Sequence, residues 1–173
     1  MERLWSPWRL DYVTGSKADV GCVFCTEQTL AASDSLIVHS GSQCYVILNR
    51  YPYNPGHVMV LPKRHVPALA DLTADELHEL ADLTKLAEAA LVTAYRPQGI
   101  NVGINLGLSA GAGIREHLHV HLVPRWNGDT NFISVVGNTR VLPEDLQQSV
   151  ARMRPVFADL VKKNLDAGGQ VGG

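Results

Sequence analysis

A chain of 173 residues, 46% hydrophobic and 18% charged, has the length and composition of one globular domain with a core of its own. Its formal charge of −2 leaves no bulk basic field to hold nucleic acid, and no apolar run approaches the roughly 18 residues that cross a bilayer. The opening MERLWSPWRLDYV has no apolar stretch followed by a cleavage site, so the expected compartment is the cytoplasm, with neither membrane nor nucleic acid as partner.

Residues 1–34 are punctuated by Pro, Gly and Ser and are expected to form an irregular arm with little regular structure, anchored by Trp5 and Trp8. The arm carries CVFC at Cys22 and Cys25. Three cysteines in all, an odd number, suit a disulfide framework poorly and a metal or thiol site better. From Ser35 the signal turns to strand: SLIVHS, QCYVILNR and HVMVLP are short β-rich runs bounded by Gly, Asn or Pro. NPG at 54–56 reads as a turn, so the last two runs are expected to pair antiparallel. Cys44 is expected in the core and His39, at a strand end, in solvent.

Residues 73–95 change period. Thr73 followed by Glu76 is a capping box, and Leu77, Leu80, Leu83, Ala87, Leu91 and Ala94 recur every three or four residues, so the spacing predicts a long helix with one apolar face and His78 outward. Pro97 and Gly99 end it. In GINVGINLG, Ile100, Val102, Ile104 and Leu106 alternate with Asn101, Gly103 and Asn105, the pattern of a half-buried strand. A Gly/Ala/Ser loop, GLSAGAGIRE, follows at 107–116. A second helix is predicted from near Pro143, with Leu146, Val150, Met153, Phe157 and Leu160 at helical spacing, and GGQVGG closes the chain as a frayed end. Strands in the middle with one helix inserted and one appended argue an α+β fold with a mainly antiparallel sheet. The expected organisation is an arm over 1–34, a single domain over 35–165 that includes the C-terminal helix, and a flexible tail over 166–173.

Between the loop and PRW stands HLHVHLV, with His117, His119 and His121 in strict alternation. On a regular strand they share one face and span about 13 Å, while Leu118, Val120 and Leu122 enter the core. Metal–imidazole bonds are only about 2.0–2.1 Å, so the outer pair cannot readily meet at one ion. The first and third histidines therefore need different partners. A solvated face is the plain alternative to a site. The chemical reading is nucleophilic catalysis, since an imidazole with a pKa near 6.5 is largely neutral at pH 7 and attacks phosphorus when its other nitrogen is held by an acceptor. GLSAGAG either offers backbone N–H groups to a phosphate or is a plain flexible loop. It is no P-loop and no dinucleotide fingerprint, because no Gly-Lys-Ser/Thr follows and it leads into a strand. Arg125 adds charge nearby or lies at the surface.

His-x-His-x-His followed by two apolar residues resembles the motif of the histidine triad (HIT) proteins, and the likeness extends over LNRYPYNPGHVMVLPKRHV, the long helix, GINVGINLG and HLHVHLVPRWNGDTNF, residues 43–135. WSPWR near the start and NLGLSAGAGIREHLHVHLV are similar to the bacterial diadenosine tetraphosphate phosphorylase type, close to the Fhit-like hydrolases. The resemblance implies a HIT-like fold with a five-stranded antiparallel sheet, and a homodimer, alone or within a higher assembly, in which two sheets join. It implies cleavage of dinucleoside polyphosphates at the α-phosphate, with His119 as nucleophile and a nucleotidyl-histidine intermediate resolved by phosphate or water. His121 would contact phosphate or leaving group, Asn105 would bind phosphate, and Asn49 with His57 would line the nucleoside pocket. Where many members carry Ser or Thr three residues before the first histidine, this chain has Ile114, so only the backbone N–H groups of Gly113 and Ile114 remain to bind phosphate there.

The same resemblance, shared with galactose-1-phosphate uridylyltransferases, implies a structural zinc on Cys22, Cys25, His65 and His117. Two reduced thiols or a redox pair are the alternatives for CVFC. For the chain as a whole, a metal-dependent phosphoesterase with His119 and His121 as ligands, and a nucleotide-binding module with little turnover, are the rival readings; the first lacks the Asp and Glu residues such sites recruit.

Overall fold

The computed structural model describes residues 21–129 and 144–168. Trp5, Trp8, the helix start at Pro143 and the tail beyond Gly168 lie outside the described residues. A helix α1 (Val23–Glu27) precedes strands β1 (Ile37–Ser40), β2 (Cys44–Leu48) and β3 (Val58–Pro62); helix α2 (Ala74–Tyr95) follows, then β4 (Gly99–Ile104), β5 (Val120–Arg125) and α3 (Leu146–Gly168). The five strands form one sheet in the order β1-β2-β3-β5-β4, antiparallel at every junction. The α+β expectation and the β2–β3 pairing hold.

Register decides which residues share a face. Ile47 stands opposite Met59, Met59 opposite His121, and His121 opposite Gly103, so these four line up across one side of the sheet. Val46, Val60, Val120 and Ile104 make the corresponding row on the other side. Helix α2 lies over β2, β3 and β5 on that second side, and α3 packs against α2 and β1. All of β2 and β3 is buried because helices cover one face and the arm with the loops covers the other.

The capping box forms as the sequence predicts: Thr73 Oγ1 accepts from the Glu76 amide at 3.2 Å and the Glu76 carboxylate accepts from the Thr73 amide at 2.8 Å. Glu76 also takes the Arg64 guanidinium at 2.6 Å, which holds its carboxyl down to about 2. Leu80, Leu83, Ala87 and Leu91 are buried as expected, whereas Leu77 is 46% exposed because buried Glu76 takes the inward position of that turn. The helix ends with Arg96 in the left-handed region at φ 46°, ahead of Pro97.

Four expectations are corrected. The arm is not irregular throughout, since α1 starts directly after Cys22 and includes Cys25. Val102 is 53% exposed although it faces the helical side, because β4 is the edge strand, beyond the cover of α2. β5 begins only at Val120, so His117 and His119 precede the ladder and the three histidines do not share one regular strand face. His39 is half-buried rather than solvated, its ring stacked on Phe157 at 5.5 Å. Cys44 is fully buried, and burial with the nearby Glu79 charge raises its thiol to about 12.

The 54–56 turn is tightly placed. Gly56 has φ +75°, and a Cβ there would stand 2.7 Å from the Tyr95 ring, so only glycine fits. Asn54, buried, donates to the Pro124 carbonyl at 2.7 Å and to Asp129 at 2.8 Å. The turn that delivers His57 is thereby tied to the far end of α2 and to the end of β5.

Candidate active site

The sheet face that carries Ile47, Met59 and His121 floors a cavity of about 410 Å³, within the range of small-molecule sites. Asn49, Asn105, Gly113, Ile114, His119 and His121 all line it, so six of the sequence-predicted residues meet in one place. His57 does not line it. It is fully buried behind His121, with its Nε2 3.5 Å from the Asn49 amide nitrogen.

Hydrogen-bond roles follow from the groups that have no choice. The Tyr53 amide can only donate, and it reaches His57 Nδ1 at 3.1 Å; neutral His57 therefore carries its proton on Nε2. That nitrogen lies 3.0 Å from His121 Nδ1, so His57 donates, His121 accepts, and the His121 proton sits on Nε2. The His117 carbonyl can only accept, and it takes the proton of His119 Nδ1 at 2.8 Å. His119 therefore keeps its lone pair on Nε2, the nitrogen away from that anchor. The His119 and His121 rings meet edge to face at 4.8 Å, which sets a ring with a lone pair beside a ring with a donor.

Burial keeps His57 and His119 neutral. His57 is lowered to about 3, first by desolvation and then by the His121 and His119 charges. Desolvation also lowers His119 against the opposing pull of the His117 carbonyl. A neutral imidazole is the form with nucleophilic capacity.

His117 turns the other way. It is fully buried and donates from Nε2 to the Pro62 carbonyl at 2.8 Å, which leaves the lone pair on Nδ1. Nδ1 lies 3.3 Å from Cys22 Sγ and 3.6 Å from Cys25 Sγ, and His65 Nδ1 lies 3.5 Å from Cys25 Sγ. The ligand atoms of Cys22, Cys25, His65 and His117 all fall within 4.8 Å of one another. A tetrahedral ion with bonds of about 2.3 Å to sulfur and 2.0–2.1 Å to nitrogen sets S and N about 3.5 Å apart, so the group fits a metal ion in size, donor type and lone-pair direction. Burial and then the neighbouring Cys22 thiol push the Cys25 thiol up, a crowding that a cation relieves.

Three features of the site escaped sequence reasoning. Phe24 lies between the cysteines and touches both His117 and His119, with ring centroids at 5.5 and 5.2 Å. The Tyr53 contribution is a backbone N–H and leaves no trace in residue identity. Glu27, buried on the cavity wall, accepts from the Leu36 amide at 3.2 Å and from Arg50 at 2.8 Å, fastening the end of α1 to the sheet. The pairing of Glu27 with Arg50 crosses 23 residues, and only the apolar Val-Phe within CVFC hinted that this stretch meets the core.

Comparison with known proteins points the same way. The HIT domain family matches residues 31–128. The AP-4-A phosphorylase of Mycobacterium tuberculosis (strain ATCC 25618 / H37Rv) is 43% identical over 157 residues, which is 86% of this chain and 80% of the relative. The bis(5'-adenosyl)-triphosphatase of Dictyostelium discoideum is 30% identical over 122 residues, 66% of this chain and 80% of that one. The crystal structure of a zinc-bound histidine triad family protein from Mycobacterium smegmatis is 28% identical and superposes with a TM-score of 0.66 over 83% of this chain and 97% of that chain. A match over more than half of the chain, the shared five-stranded sheet and the HLHVHLV segment at its cavity together establish that this chain belongs to the HIT domain family.

Proposed function

We propose that this protein cleaves dinucleoside polyphosphates such as diadenosine tetraphosphate at an α-phosphate, through a nucleotidyl intermediate on His119, and that inorganic phosphate resolves it. The observation that carries the reading is the opposed pair of tautomers in one cavity, a lone pair on His119 Nε2 beside a proton on His121 Nε2. His119 Nε2 attacks the α-phosphorus, the bond to the bridging oxygen breaks, and ATP leaves with His121 donating to the departing oxygen. A phosphate oxygen then attacks the same phosphorus, the P–N bond breaks, and ADP is released with His119 regenerated. Backbone N–H groups of Gly113 and Ile114, with Asn105, serve the phosphate oxygens, and Asn49 serves the nucleoside. His57 acts through His121 by holding its tautomer. Phosphorolysis rests on the 43% likeness to the AP-4-A phosphorylase; water in place of phosphate would give AMP.

The ion proposed for Cys22, Cys25, His65 and His117 is zinc, in a closed structural site of the Cys2His2 type. It would supply cross-linking of α1 to the loop before β5 and no chemistry on the substrate. Among the described residues, the group of His, Cys, Asp and Glu side chains close enough to hold an ion is this one, which speaks against His119 and His121 as metal ligands.

The proposal includes the organisation expected from sequence, an arm over 1–34, a domain over 35–165 and a tail from 166. It also includes a cytoplasmic compartment, supported by the lack, among the described residues, of a helix long and apolar enough to cross a membrane. A homodimer joined along β4 accounts for the exposure of Val102 on an edge strand. The test is incubation with diadenosine tetraphosphate with and without phosphate, reading nucleotides by chromatography and the protein by mass. ADP with ATP only when phosphate is present supports phosphorolysis, and AMP with ATP supports hydrolysis. Unmodified protein throughout turnover, together with full activity of His119→Asn, sinks the covalent route.

A further inference from the structure

Phe24 stands at a junction that neither the catalytic pair nor the metal group explains by itself. Its neighbours in sequence, Cys22 and Cys25, point their sulfurs at His117, while its own ring, 5% exposed, packs on His117 edge-on at 5.5 Å and on His119 at 5.2 Å. The backbone at Phe24 is itself held, because the buried Tyr45 hydroxyl donates to the Phe24 carbonyl at 2.9 Å and the Thr26 amide closes the turn on the Cys22 carbonyl at 3.0 Å. Glu27 pins the far end of the helix to Leu36 and Arg50. One short helix thus presents sulfur ligands toward one histidine and an aromatic wedge toward the next.

Resting on the reading of His119 as nucleophile, we propose that Phe24 is a positioning residue that holds the His119 ring in register and transmits to it the order of the Cys22–Cys25–His65–His117 group. Among the described residues His119 has a single anchoring hydrogen bond, Nδ1–H to the His117 carbonyl, and a ring hung on one bond still rotates about it. Contacts on its flanks stop that rotation: His121 on one side at 4.8 Å and Phe24 at 5.2 Å. Removal of the phenyl ring leaves a void beside His119, and the attacking nitrogen loses its aim.

Phe24→Ala is expected to lower kcat by about tenfold to a hundredfold, the scale of an ångström-size misplacement, with a smaller change in KM. Phe24→Leu, which refills most of the volume, recovers most of the loss. Rates are taken per metal-bearing chain, counted by native mass spectrometry. The second readout is the imidazole nitrogen-15 spectrum of His119, independent of turnover. In the wild type it reports one tautomer, protonated on Nδ1; in Phe24→Ala the two tautomers mix. Metal removal by a chelator mixes them in the wild type and adds little in Phe24→Ala. Wild-type kcat with an unmixed spectrum in Phe24→Ala overturns the proposal. So does a Phe24→Ala spectrum that responds to metal removal as strongly as the wild type's, which would assign the link to His117 alone. If the wild type forms no nucleotidyl-His119, the reading of the reaction fails, and the imidazole spectrum still decides the placement of Phe24.

Discussion

His57 Nε2 lies 3.0 Å from His121 Nδ1, and a peptide N–H on the other side of the His57 ring fixes the direction of that bond. His57→Ala removes the donor and frees His121 to exchange tautomers. The expected loss in kcat is about tenfold to a hundredfold, the scale of losing a partner that orients a functional histidine and less than the full worth of a positioned acid, with nucleotide binding changed less because His57 does not touch the cavity. Steady-state rates with diadenosine tetraphosphate and phosphate check it, and unchanged kcat would remove His57 from the relay.

The same ring makes the fold acid-sensitive. His57 is held at about 3 in the folded protein against an ordinary 6.5, so between those values the unfolded chain binds more protons than the native one. Stability is therefore complete above about pH 6.5 and declines as pH falls toward 3, by up to about 1.4 kcal/mol per pH unit from this group. His57→Asn should show a shallower acid decline than the wild type in urea unfolding between pH 6.5 and 4. Parallel declines would contradict a buried neutral His57.

Ile114 lines the cavity with a half-buried apolar side chain. Ile114→Ser opens that wall and adds a hydroxyl. The share of AMP among products should rise several-fold relative to ADP at fixed phosphate, read by chromatography. A constant ratio would mean that the choice between phosphate and water is made elsewhere.

Cys25 reaches both His65 and His117. Cys25→Ala should weaken metal binding by more than about a hundredfold, the upper range for losing a mere outer-shell partner. Elemental analysis should then find well under one equivalent per chain, and the melting temperature should become indifferent to chelator. A variant that keeps a full equivalent would refute the four-ligand group.

Val102 is the large apolar residue exposed on edge strand β4. Val102→Lys places a charge on the edge proposed to join two copies. Sedimentation should move from dimer to monomer for the variant, and an unshifted dimer would place the joint on another surface.

Where the sequence was legible, the reason was periodicity or punctuation: Thr73 with Glu76, the NPG turn and the short apolar runs of β2 and β3 between Gly, Asn and Pro read directly onto the fold. Val102 and Leu77 misled because alternation reports amphipathicity but not which neighbour covers the apolar side, and an edge strand keeps the pattern while losing the cover. Cys22, Cys25, His65 and His117 were assembled through family likeness, since 92 residues separate Cys25 from His117 and spacing alone carries no information over that range. Phe24 and the Tyr53 amide stayed hidden for opposite reasons, one being an ordinary core residue by composition and the other contributing no side chain.

The turn at 54–56 bears on how such a site can vary. Asn54 is committed to Pro124 and Asp129 and Gly56 to the Tyr95 ring, so a graft of this turn into a relative must bring partners from two distant segments with it. The opposite rim is unconstrained in that sense, for a Cβ at Gly107 or Gly111 would meet nothing within 4 Å, although both hold positive φ. Substrate range in this scaffold should therefore diversify through the 107–116 loop, by changes that keep its two left-handed glycines, while the histidine-bearing rim travels only as an inherited block.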